Sequence, residues 1–267
     1  MTISPVKLLV CAESGSGKTG ALASLAATGY NLRVLDLDNN SRVLASLLTD
    51  PESPYVKANP KVAERLQSVI GLSEKRVATG GKLGMAKAEV WSKACGLLEK
   101  WKDGELDLGS ITTWGVQDVL VVDSFTRLGE SAMRFIQAMN GRLNAHPYQS
   151  DYGEAQGLVK SFLEIVSDPE VKCNVILNCH IQSVEDTDGV SRDFPKAPGK
   201  AIAKDIATYF GSLLYITKTG VGTNVKRVLK TVPTGTLGVK NTAPFRVAPE
   251  YPIESGLASY FAAVRGE

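Results

Sequence analysis

The sequence predicts an α/β fold: a mostly parallel, twisted sheet flanked by helices, with a β-hairpin extension near the C-terminus. Three stretches predict it. The apolar run Val6 to Cys11 passes through a Gly/Ser-rich loop into the Ala/Leu-rich stretch Thr19 to Ala27. Val119 to Val122 ends in Asp123, and Val175-Ile176-Leu177 runs on into Asn178, Cys179 and His180. Short apolar runs alternating with helical patterns indicate strands joined by crossovers, and polar residues at the carboxyl ends of such strands mark where ligand chemistry sits.

The first element carries the strongest pattern. Ala12-Glu13-Ser14-Gly15-Ser16-Gly17-Lys18-Thr19, followed by Gly20, fits G-x-x-x-x-G-K-[ST] with Ala at the first position, a small residue that still lets the strand turn tightly. Gly15 and Gly17 can take backbone angles that a Cβ forbids, so successive N–H groups can point inward around a phosphate. The following helix adds its N-terminal partial charge. Lys18 is expected to reach the β- and γ-phosphates of a nucleotide and Thr19 to offer a hydroxyl to Mg²⁺. A plain Gly/Ser turn is the alternative, and the strand, loop, helix order speaks against it.

Leu32 to Leu37 predicts a second buried strand, ending in Asp36-Leu37-Asp38-Asn39-Asn40. Ser41 is expected to cap a helix carrying Val43, Leu44, Leu47 and Leu48, closed before Pro51 and Pro54. Residues 50 to about 115 read as a helical and hairpin insertion. Helical patterns cover Pro60 to Ile70 and Met85 to Trp101, a mobile connection falls at Thr79-Gly80-Gly81-Lys82, and Gly104 to Trp114 alternates like a short hairpin.

Asp123, at the tip of an apolar strand, has the form of a Walker B carboxylate that holds Mg²⁺, although a strand-end Asp can also simply begin a turn. Leu128 to Met139 continues as a helix. Asn140 to Tyr152 reads as a polar loop, and Glu154 to Val166 as an amphipathic helix. His180 ends the third strand where a side chain can sense a γ-phosphate, with Gln182 as the nearby substitute; a surface histidine at a strand end is the plainer alternative. A turn at Asp186-Thr187-Asp188-Gly189 opens a loop carrying Arg192, Lys196, Lys200 and Lys204. These cations suit the phosphates of a nucleic acid or a neighbouring subunit, or are merely solvated. Ile206 to Phe210 closes a helix, Leu213 to Thr217 pairs with Lys226 to Thr231, and a Pro-containing segment precedes a terminal helix.

Composition bounds the rest. The 267 residues are 43% apolar and 22% charged with a net charge of +2, which suits a single globular domain spanning 1–267 and argues against a strongly polyanion-coated protein. Cys11, Cys95, Cys173 and Cys179 show no C-x-x-C spacing, and with only His146 and His180 available a zinc site is not expected. A reducing cytoplasm fits. No apolar run approaches the roughly 20 residues that span a bilayer.

Taken together, the loop, Leu35-Asp36-Leu37-Asp38, Val121-Val122-Asp123-Ser124-Phe125-Thr126, Asp151-Tyr152-Gly153, Asn174 to His180, and Pro198-Gly199-Lys200 with the following Phe210 resemble phage-encoded P-loop ATPases built on a minimal RecA core, related to RecA-like single-strand annealing proteins. The resemblance implies a sheet in which the sensor strand lies between the Walker A and Walker B strands. It also implies a general base at Asp38, where relatives often carry Glu, and a trans-acting cation at Lys240, within Val239-Lys240-Asn241-Thr242. No counterpart of RecA's amino-terminal polymerisation segment precedes Val6, so assembly is expected to use other surfaces.

The function expected on these grounds is Mg-ATP binding and hydrolysis on single-stranded DNA, in phage recombination or replication, by a homo-oligomer. The catalytic group would be Lys18, Asp38 and His180, with Thr19 and Asp123 holding the metal. A P-loop kinase shares the loop but ordinarily shows an Arg-rich lid. A nucleotide-gated assembly adaptor with little turnover is the third expectation.

Overall fold

A computed structural model describes residues 4–79, 82–185, 189–233, 236 and 238–267. The first half of the chain contributes β1 (Lys7–Ala12), β2 (Asn31–Asp36), β3 (Leu66–Gly71), the small hairpins β4 (Arg76–Thr79) with β5 (Lys82–Met85) and β6 (Trp101–Asp103) with β7 (Leu106–Gly109), and β8 (Asp118–Asp123). The second half adds β9 (Asn174–Glu185), β10 (Ser191–Pro195), β11 (Ser212–Thr219), β12 (Lys226–Lys230) and β13 (Glu250–Pro252). The main sheet has the order β13-β12-β11-β1-β9-β8-β2-β3, and β10 folds back along the far end of β9. From β11 to β3 all neighbours are parallel, whereas β12 and β13 close the other edge antiparallel. Strand β9 therefore lies between the loop strand β1 and the Asp123 strand β8; it does not end at His180 as expected but runs on to Glu185, because β10 pairs with residues 181–185.

Two helical layers cover this sheet because successive side chains of its strands point to opposite faces. Leu8, Val10 and Ala12 of β1 pack with α1 (Lys18–Ala21), α2 (Ala23–Ala27), α3 (Ser41–Thr49) and the C-terminal helix, while α4 (Pro54–Ala58) lies at the edge of that layer. Leu9 and Cys11 pack on the other face, against α5 (Val90–Glu99), α6 (Phe125–Met139), α7 (Gln149–Ser167) and α8 (Lys200–Asp205). The C-terminal helix, α9 (Gly256–Arg265), supplies Leu257, Tyr260 and Phe261 to the first layer. This is an α/β fold with a mostly parallel sheet flanked by helices. Among the described residues no helix is long and apolar enough to cross a membrane.

The stretch from 50 to 115 departs most from the sequence reading. Pro60 to Ile70 is not a helix: a single 3₁₀ turn, Val62–Arg65, leads into β3, which pairs with β2. Leaving β2 unpaired on this side would strand a row of backbone donors and acceptors, and that tertiary demand overrides a weak local pattern. Trp101 anchors the new edge, its Nε1–H donating to Ser68 Oγ at 2.9 Å while Ser68 donates to Asp103 at 2.7 Å. Of Met85 to Trp101, only Val90–Glu99 is helical. The hairpin expected over Gly104 to Trp114 sits earlier, turning at Gly104, whose φ is +59°. Gly80 and Gly81 of the expected connection, and Asp186, Thr187 and Asp188 of the later turn, lie outside the described residues.

Two helix starts also differ. Helix α7 begins at Gln149 rather than Glu154, because Asp151 accepts the Tyr148 N–H at 2.7 Å and pairs with Arg142, closing the loop onto the helix. Helix α3 begins at Ser41, but the cap is Asp36, whose carboxylate accepts the N–H groups of Asn40 at 3.2 Å and Ser41 at 2.9 Å. A buried carboxylate taking two orphan helix donors from the preceding strand does what the Ser41 hydroxyl was expected to do. Asp36→Ala is therefore expected to destabilise the fold by about 1–2 kcal/mol; urea denaturation checks this, and an unchanged midpoint would remove the cap from the account.

Candidate active site

The loop Glu13–Gly17 leaves the carboxyl end of β1 and turns back into α1. Its sharp path needs glycine at two places, with φ of +72° at Gly15 and +97° at Gly17. At Gly17 space decides as well, since a Cβ there would sit 3.1 Å from Ile253 Cδ1 and 3.2 Å from Arg227 Cδ. Ser16 is buried beneath the turn, Ala12 is buried within β1, and Ser14, Gly15, Gly17, Lys18, Thr19 and Gly20 line a cavity of about 590 Å³.

Sheet order gathers the chemistry of this cavity. Thr19 Oγ1 donates to Asp123 Oδ2 at 2.5 Å, so the loop and the Asp123 strand meet. Lys18 Nζ donates to the carbonyls of Ala12 at 3.2 Å and Glu13 at 3.1 Å and lies 3.4 Å from His180 Nδ1. On its other side His180 Nε2 is 3.1 Å from Asp38 Oδ2. Asp38 Oδ1 accepts from Ser124 Oγ at 3.0 Å and faces Arg127 Nε at 3.5 Å. A continuous polar chain thus runs from Lys18 through His180 and Asp38 to Ser124 and Arg127.

The acids of this cluster are tuned in opposite directions. Burial raises the Asp123 carboxyl above the ordinary carboxylate value, and the charges of Asp38 and Asp36 add to the rise while Thr19 and Asn178 oppose it. Burial alone would raise Asp38 as well, but hydrogen bonds from His180 and Ser124 outweigh it and hold Asp38 below its ordinary value. Burial also lowers the Lys18 ammonium, against the pull of Asp123 and Asp38. Asn178, fully buried on the same face of β9 as His180, finds no hydrogen-bond partner for either amide atom, though it lies close enough to Asp123 to favour its charge.

This donor set fits a magnesium nucleotide. A hydroxyl and a carboxylate in contact offer oxygen ligands to a hard cation, and the carboxylates crowded nearby favour positive charge. Among the described residues no group of three or more His, Cys, Asp and Glu side chains can hold a metal. A cation here would therefore complete its shell with phosphate oxygens and water, as Mg²⁺ usually does.

Some lining residues were not legible in the sequence. Val43, Leu47, Pro54, Tyr55 and Ile253 make an apolar wall beyond Gly20, and Arg227 and Glu254 border it. Tyr55 is fixed by donating its hydroxyl to the Glu254 carbonyl at 2.7 Å. In the sequence Val43 and Leu47 mark only a helix face, and no local pattern marks residues brought in from α4, β12 and the segment after β13.

Of the loop cations whose side chains are described, Arg192, Lys196 and Lys204 do not share one cavity. Lys196 borders a cavity of about 250 Å³ with Thr126, Glu130 and Arg134. Arg192 and Lys204 border another of about 510 Å³ with Phe194, over whose ring Lys204 Nζ lies at 6.0 Å. Lys200 opens α8. The backbone of Lys196 is joined to the active cluster: its N–H donates to the His180 carbonyl at 2.7 Å and its carbonyl accepts from Thr126 Oγ1, which in turn accepts the His180 N–H at 2.9 Å. Lys240 is exposed and bonded through its main chain to Leu213, and it does not line its own chain's cavity.

A family described as an AAA domain matches residues 4–243. No curated protein matches the chain. Among solved structures it is similar to the flagellar accessory protein FlaH from Methanocaldococcus jannaschii, at 12% identity and a TM-score of 0.44 over 95% of this chain and 88% of that one. It is similar to the RadB recombinase at 13% identity and a TM-score of 0.46, over 90% and 92% of the two chains. A KaiC-like protein from Pyrococcus horikoshii OT3 aligns at 12% identity and a TM-score of 0.40, over 93% and 85%.

Proposed function

We propose, from the premise that this chain belongs to the AAA-domain family of P-loop proteins, that it binds Mg-ATP in the cavity at the end of β1, hydrolyses it, and couples the nucleotide state to single-stranded DNA as a homo-oligomer. The observation that carries the nucleotide reading is the 2.5 Å contact between Thr19 and Asp123, which unites the phosphate loop and the strand-end carboxylate. Bound Mg²⁺ would neutralise charge on the β- and γ-phosphates.

The side chains divide the remaining work. Lys18, already directed at loop carbonyls, exchanges those partners for phosphate oxygens. Asp38 accepts a proton-bearing group and thereby orients a water toward the terminal phosphate. His180 touches both Lys18 and Asp38, so a change in phosphate charge alters its two hydrogen bonds together. Its main chain passes that change to Lys196 directly and through Thr126. Arg192 and Lys204 around Phe194 offer the combination of cations and an aromatic face that suits a single strand's phosphates and bases. The resemblance to phage-encoded proteins supports recombination or replication as the setting.

A second reading, a nucleotide-gated assembly with slow turnover, is favoured by the state of Asp38. Both of its oxygens are engaged and its basicity is lowered, which weakens it as a proton acceptor. Phosphate release from ATP, measured with and without single-stranded DNA while particle size is followed, separates the readings. DNA-stimulated release of free phosphate is the expected result. Transfer to an acceptor without free phosphate would favour a kinase, ATP-dependent assembly with no release would favour the slow switch, and failure to bind nucleotide would overturn all three.

A further inference from the structure

The cavity contains a second permanent cation beside Lys18. Arg227 reaches it from β12, on the antiparallel edge of the sheet. Its main chain is fixed twice, by register with Lys218 of β11 and by the Ile253 N–H, which donates to its carbonyl at 3.2 Å. Its stem lies close enough to the loop that a Cβ at Gly17 would be 3.2 Å from Arg227 Cδ and 3.7 Å from Nε. The head is thus held at the residue that precedes Lys18.

That guanidinium has no protein partner among the described residues. Nε is buried without an acceptor, and no carboxylate pairs with the side chain. Neighbouring cations behave differently: Lys230, on the same strand, pairs with Glu250, and Arg127 pairs with Glu130. A buried donor left unmade is costly, so its retention at a ligand cavity indicates an acceptor supplied by the ligand. Asp38, Asp123 and Glu254 line the cavity against Lys18 and Arg227, so without Arg227 an incoming polyphosphate would meet three carboxylates and a single ammonium. Arginine's planar donor fork matches phosphate oxygens, whereas the apolar wall of Val43, Leu47, Pro54 and Tyr55 is suited to a base.

We propose that Arg227 is a second phosphate-binding cation of the nucleotide site, contributed by the same chain that contributes the loop. This rests on the nucleotide reading of the cavity. The test uses magnesium tripolyphosphate, which has the phosphate chain without a base, beside ATP, each competing with a fluorescent ADP analogue at low salt. Arg227→Gln keeps much of the stem and removes the charge. It is expected to weaken both ligands by about ten- to a hundred-fold, with Arg227→Lys recovering part of the loss and the salt dependence of tripolyphosphate binding reduced in the Gln variant. Loss of ATP affinity with tripolyphosphate affinity intact would assign Arg227 to the base and overturn the proposal, as would wild-type affinity for both.

Lys18→Ala, measured alongside, separates this proposal from its premise. If it alone abolishes tripolyphosphate binding, only the role of Arg227 fails; if it too leaves binding intact, the cavity is not a phosphate site. A readout on the wild-type protein removes dependence on folding of the variant. Modification of Arg227 by an arginine-selective dicarbonyl, followed by mass spectrometry, should be slowed by tripolyphosphate, and unprotected labelling at saturating ligand overturns the assignment.

Discussion

Lys18→Ala should lower ATP turnover by about a thousand-fold or more and erase the rise in melting temperature that Mg-ATP gives the wild-type protein. The size follows from charge. Removing one neutral donor from a preorganised site typically costs about a hundred- to a thousand-fold, and Lys18 contributes a full charge while being almost wholly buried. The charges of Asp123 and Asp38 pull on its ammonium and partly offset the burial that lowers its pKa. Alanine would leave those carboxylates facing an incoming polyanion with Arg227 alone to compensate. The nucleotide-free protein should lose far less, because the bonds given up run to the carbonyls of Ala12 and Glu13 at the loop mouth. Calorimetric melting with and without Mg-ATP, beside a phosphate-release assay, checks both parts, and wild-type turnover in the variant would sink the assignment of the loop.

The same local character that makes Lys18 decisive made it legible. A phosphate loop is contiguous in sequence, so Gly15, Gly17, Lys18 and Thr19 announce themselves within eight residues of chain. Asp123 and His180 were legible for a related reason: an apolar run that turns polar marks where a buried strand reaches the ligand edge of the sheet, and strand order then sets Asp123, at the end of β8, near His180, opposite the end of β1 although β9 runs on to Glu185. What failed depended on partners far along the chain. β3 is a strand because β2 offers an open edge, and α3 is capped by an aspartate on the preceding strand instead of its own first residue. Arg227, Tyr55 and Ile253 meet at one cavity only because β12 and β13 close the sheet beside β11. No spacing records such a meeting, although an arginine in a strand beside the loop strand's neighbour is the kind of residue a topology-aware reading would examine.

Asp123→Asn should lower Mg-dependent turnover by about a hundred-fold, the scale of losing a group that orients a metal, and should at the same time make the nucleotide-free protein more stable at pH 7. The second effect follows from the sign of the shift. In an unfolded chain an aspartate titrates near about pH 4, whereas burial, then the charges of Asp38 and Asp36, raise Asp123 in the folded protein. Between those two values the folded chain keeps a proton that the unfolded chain has lost, so stability falls as pH rises through the window, and the full cost of the buried charge persists above it. Asparagine removes that cost while keeping an acceptor for the Thr19 hydroxyl. The gain should therefore be present at neutral pH and vanish below about pH 4, where wild-type Asp123 is protonated in both states. Mg-nucleotide reverses the order, because a bound cation favours the ionised carboxylate that the variant lacks. Chemical denaturation at both pH values, with and without Mg-ATP, reads all four conditions. A variant less stable than wild type at pH 7 without ligand would mean that Asp123 holds the fold together and is not strained in readiness for a metal.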